Sequence, residues 1–144
     1  MTTLAFTTDT DPYVIYGAKS AGTPSLAGRD GLQLPQPSRV LEFASPARFL
    51  NGDVPVASRL PNAVLGMLVR VESASEAAHK TAVAALRAVM SQFTFQAVLS
   101  QGAATTTWTA YAGTVTAVTG SRISTADGVV ERYQITLPVH PIEA

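Results

Sequence analysis

The sequence predicts an α+β domain, mainly antiparallel β, in which a sandwich or open barrel carries one helix packed across it. Three observations lead there. Apolar and polar residues alternate with period two through residues 65–71, 93–100 and 129–137, as they do along half-buried strands. Turn signals, Gln101-Gly102 and Asp127-Gly128, separate such runs. A single stretch, opened by Ser73-Ala74-Ser75-Glu76, changes to the three-and-four spacing of a helix.

The strand candidates begin at residues 4–8, 13–17 and 39–43, with a Gly-, Ser- and Pro-rich loop expected over 18–37. Loops of that length are usually functional or ordered by a partner. A second irregular stretch, 44–62, contains Pro46, Pro55 and Pro61 around Asn51-Gly52-Asp53. Phe49 and Leu50 sit among these breakers and need an apolar neighbour, either as a lid over the domain's own core or by insertion into another subunit. From Ala63 a strand with both faces largely apolar is expected, the mark of a central strand.

Ser73 and Glu76 have the spacing of a capping box, with the Ser73 hydroxyl accepting from the Glu76 amide. In the helix that follows, Ala78, Ala82, Ala85, Leu86 and Val89 define one buried face, and Glu76, Lys80, Val83 and Arg87 the other. Glu76 and Lys80 form a favourable pair one turn apart. So much alanine lets the helix lie close to a sheet. After it come strands over 93–100, 105–112, 114–119, 122–125 and 129–137, interrupted by Gly113 and ended by Pro138, making six to eight in all.

The 144 residues fit one domain, 1–144. Ten basic and ten acidic residues cancel and are scattered singly, so no nucleic-acid or anionic-membrane footprint is present. Charged residues make up 14%, against about 25% in an ordinary soluble domain. Such a surface is expected to be covered by other subunits. With no cysteine, disulfides, thiolate nucleophiles and Cys-ligated metals are excluded. Residues 1–6 lack the basic start and apolar stretch of a secretory signal, and the longest apolar run, 63–69, is too short to span a bilayer; no membrane integration is expected.

No catalytic constellation emerges, and neither enzymatic activity nor a cofactor or metal is expected. Gly17-Ala18-Lys19-Ser20 lacks the preceding glycine of a phosphate loop, and Ser25 lacks the flanking glycines of a nucleophile elbow. The two histidines, His79 and His140, are expected at the surface. Asp9-Thr10-Asp11 has neither the glycine nor the distal glutamate of a calcium loop. Glu72, Glu76 and Glu131 fit a strand end, a helix cap and a solvent-facing strand position, while Trp108 and Tyr111 fit core or interface packing.

The order of strands, long loop, strand after Arg59-Leu60-Pro61-Asn62, helix and closing hairpins resembles the tail-tube fold of long-tailed bacteriophages. Residues 59–71, 75–90, 93–100 and 105–112 look most like the core of distal-tail and minor tail proteins. The resemblance implies a structural subunit of a virion tail, assembled in the host cytoplasm. Copies form a ring, hexameric in that family, around a lumen through which DNA passes without sequence-specific binding. Adjacent tail rings or tip proteins would be its partners. The stretch 44–62 takes the place of the family's inter-ring loop, with Arg48, Phe49, Leu50 and Arg59 as expected inter-subunit contacts. The alternative is a small β-sandwich binding module that recognises carbohydrate or protein through Trp108 and Tyr111.

Overall fold

The computed structural model describes residues 2–17, 24–27, 31–36, 40–44, 54–59 and 61–140, with the backbone alone at 41–44 and 54–59. The first half contains β1 (Thr2–Phe6), β2 (Tyr13–Tyr16), β3 (Ser25–Leu26), β4 (Leu32–Gln33), β5 (Val40–Ala44), β6 (Val54–Arg59) and β7 (Ala63–Ser73). Helix α1 (Glu76–Met90) leads to β8 (Thr94–Gln101), β9 (Ala104–Tyr111), β10 (Thr114–Ala117), β11 (Ile123–Thr125) and β12 (Gly128–Val139). The mainly β character and, among the described residues, the single helix agree with the sequence pattern.

Seven strands close on themselves in the order β12-β9-β8-β1-β2-β3-β7 and back to β12. β4 adds to β7, and β10 and β11 add to β12. The expected open edge is therefore absent from this circuit. β12 is long enough to pair with β7 from Val129–Ser73 to Val139–Ala63, and at its far end it also reaches β9 through Val139–Ala110. The His140 amide continues that seam by donating to the Thr109 carbonyl at 2.8 Å.

Alternation fills the interior. Leu65, Met67, Val69 and Val71 of β7 face inward with Tyr133, Ile135, Leu137 and Val139 of β12, and Phe6, Phe95 and Trp108 join the same core. Each fully buried large apolar side chain contributes about 1.5–3 kcal/mol. The rings of Phe6 and Phe95 meet edge to face at 6.0 Å. Leu86, Val89 and Met90 of α1 complete the cluster.

Several local expectations are corrected. The helix cap is Ser75, whose hydroxyl accepts from the Ala78 amide at 3.2 Å; Ser73 is the last residue of β7, paired with Val129. On α1, Ala78 and Ala85 are exposed, while His79 is buried. β7 is a central strand, paired by β12 on one side and by β3 and β4 on the other, but its second face is covered only in part: Gly66 is buried, Leu68 half-buried and Val64 exposed. Phe93 precedes β8 and is exposed rather than in the core. The stretch 18–37 contains β3 and β4, and 44–62 contains β6, so the described residues hold twelve strands. The final turn sits one residue earlier than expected, Thr125 pairing with Gly128. Gly128 has φ 143°, and a Cβ there would collide with the Ser73 carbonyl oxygen, so only glycine lets β12 start this close to the end of β7.

Candidate functional site

Two places combine exposure or polarity with built structure. The first follows from β5 and β6, which pair with each other, Val40 with Arg59 through Ala44 with Val54, and form a two-stranded sheet apart from the barrel. The register shifts at Glu42/Phe43, opposite Pro55, where a residue without an N–H is tolerated. Of the expected contact residues, Arg59 ends β6; Arg48, Phe49 and Leu50 lie outside the described residues.

The segments flanking this hairpin, 32–36 and 61–64, line a groove of about 790 Å³. Leu34 and Val64 open onto it at 48% and 53% exposure, and Val40, at the root of β5, is 38% exposed. Apolar groups gathered beside an independent hairpin make this the candidate assembly surface.

The second place is a polar cluster where α1 crosses β12. Glu131 Oε1 accepts from the Tyr133 hydroxyl at 2.5 Å and meets His79 Nε2 at 3.1 Å and Arg122 Nη1 at 3.4 Å. Because Tyr133 already donates to the carboxylate, Nε2 carries a proton and points it at both Glu131 and the Tyr133 oxygen, also 3.1 Å away. His79 Nδ1 is buried without a partner among the described residues. Arg122 further pairs with Glu76, and the Ser124 hydroxyl donates to Glu76 Oε1 at 3.1 Å.

The electrostatics follow from this wiring. Burial pushes the Glu131 carboxyl upward, but donation by Tyr133 and His79 and the Arg122 charge outweigh it, and it titrates below the ordinary value of 4.5. Glu76 is also held low, by the hydrogen bonds from Arg122 and Ser124. Burial and the Glu131 carboxylate push the Tyr133 phenol well upward.

Glu76, His79, Lys80, Val83, Arg122 and Tyr133 border a cleft of about 430 Å³ here. The contacts of His79 with Glu131 and Tyr133 and of Glu76 with Arg122 and Ser124 make the cluster a latch that holds the first turns of α1 to β11 and β12. Among the described residues no group of three or more His, Asp or Glu side chains is placed to hold a metal, and no helix is long and apolar enough to cross a membrane.

Surface positions expected for His79 and Glu131 are thus overturned. The signal was available: His79, Val83, Leu86 and Met90 recur at three-and-four spacing and form the stripe that faces the barrel. Trp108 lies in the core, so it offers no stacking face to a ligand. No protein-family model matches the chain and no curated protein matches it.

Proposed function

We propose that the chain is a structural, ring-forming subunit of a phage tail or similar injection tube, located in the virion and assembling with copies of itself and with neighbouring rings or tip proteins around a DNA conduit. The observation that carries the reading is the β5–β6 hairpin, a two-stranded sheet separate from a closed barrel. An isolated hairpin is at best marginally stable in water and becomes stable when a further surface covers it. The apolar groove at its root and the sparse surface charge support assembly in the same sense. A hexameric ring is the form that the family resemblance implies.

The alternative binding module loses its main support with the burial of Trp108, and no other observation favours carbohydrate over protein recognition. Negative-stain electron microscopy at rising protein concentration tests the assembly reading. Rings or stacked tubes with a central lumen are expected. A protein that remains monomeric at all concentrations, with the hairpin protected from exchange in the monomer, counts against it.

A further inference from the structure

We infer that copies of this chain meet head to tail, the acidic β1–β2 turn of one seating in an arginine-lined cleft on the outer wall of the next. The inference rests on the ring-forming reading and names one contact that builds it.

Arg70 on β7 and Arg132 on β12 are register partners, directly opposite each other. Their neighbours Val69, Val71 and Tyr133 point into the core, so both guanidinium groups stand on the outer face. Like charges placed directly opposite destabilise an antiparallel pair. Glu72 relieves Arg70 at 2.8 Å, whereas the exposed Arg132 has no carboxylate partner among the described residues. With Ala27, Ser121 and the exposed Ile123 they line a cleft of about 540 Å³. Among the described residues this leaves one excess positive charge beside an apolar rim, which suits a small carboxylate-bearing knob.

The same chain carries such a knob. Asp9 and Asp11 are exposed between β1 and β2, and neither meets a cation among the described residues. The turn has a fixed shape: Thr8 Oγ1 accepts from the Thr10 amide at 3.1 Å and donates to the Asp11 carbonyl at 2.7 Å. Around the barrel, β1 lies three strands from β12 in one direction and three from β7 in the other. Knob and cleft therefore occupy opposite sides of the molecule. Complementary patches so placed give a heterologous contact, which propagates and closes into a ring when the rotation between copies allows.

Sedimentation velocity on the full chain tests this, with Arg132→Glu and with Asp9→Lys/Asp11→Lys, each checked for folding by circular dichroism. Each variant alone should self-associate at least about tenfold more weakly than the parent. An equimolar mixture should recover association, because the lysine turn of one fits the glutamate-bearing cleft of the other, while the unaltered acidic turn finds unaltered arginines. Parent association should also weaken with added salt. Variants that associate as the parent does, or a mixture no stronger than its components, overturn the inference and leave ring formation standing. A parent protein that stays monomeric at every concentration overturns this contact, and with the hairpin protected in the monomer it counts against ring formation as well.

Discussion

Glu131 is the residue through which a small change reaches furthest, because one of its oxygens receives the Tyr133 hydroxyl, His79 Nε2 and Arg122. Replacing it with leucine leaves the buried Tyr133 phenol without its acceptor and His79 Nε2 with the Tyr133 oxygen alone, and an orphaned buried donor costs about 1–3 kcal/mol. Glu131→Leu should therefore lower unfolding free energy in a urea titration by about 3 kcal/mol. Tyr133→Phe removes one donor while the carboxylate keeps two others, so its loss should be nearer 1 kcal/mol. Trp108→Ala probes the core and should cost about 3–5 kcal/mol, the range for truncating a buried aromatic. A Trp108→Ala protein with parental stability would contradict its place in the barrel. For Trp108 the sequence left core and interface packing open, because the run of threonines before it sets no period, and the barrel places it inside. The burial of His79 was carried by the stripe His79, Val83, Leu86 and Met90, but alanines recur at helical spacing on other sides of α1 and compete with it for the inward face.

At the scale of elements, legibility followed length and periodicity. β7, β8, β9 and β12 each run for eight residues or more and could be read from alternation. β3 and β4 are two residues each, too short for any period, and exist because the outer edge of β7 offers them partners. β6 was obscured by Pro55, whose missing N–H is accommodated at the bulge opposite Glu42/Phe43. The helix boundary moved by two residues because β7 keeps Ser73 in its ladder and leaves capping to Ser75. Ser75→Ala should accordingly cost about 1 kcal/mol, and Ser73→Ala should not reproduce a cap defect in the α1 amides. The hairpin gives a separate test. Amides of β5–β6 should exchange with solvent faster than those of β7–β12 in the monomer, and slow when rings form. Equal protection before and after assembly would show that the hairpin has no part in it.

For the whole molecule, the titrating groups bracket a plateau of stability. Glu131 titrates below its ordinary 4.5 in the fold, so the unfolded chain takes up the proton first. Stability is then present above that value and lost as pH falls through the folded-state pKa. At the alkaline end, Tyr13 is pushed up to about 12 by burial, and Tyr133 is shifted further in the same direction. Their contribution is complete below the ordinary 10.0 and lost as pH rises towards the folded values. Thermal unfolding should show a flat middle with falls at both ends, and Tyr133→Phe should make the alkaline fall shallower. A melting temperature that rises on acidification below the carboxylate range would refute the latch. The closed circuit also has a kinetic meaning. β1–β2 and β8–β9 are hairpins that can form from neighbouring sequence, but β7 must wait for β12, and β1 for β8, each across a long intervening chain. During synthesis, the edge of β7 that pairs with β12 therefore stays unmatched until β12 has left the ribosome, and the barrel forms late, as one cooperative event centred on the pairing of these two strands.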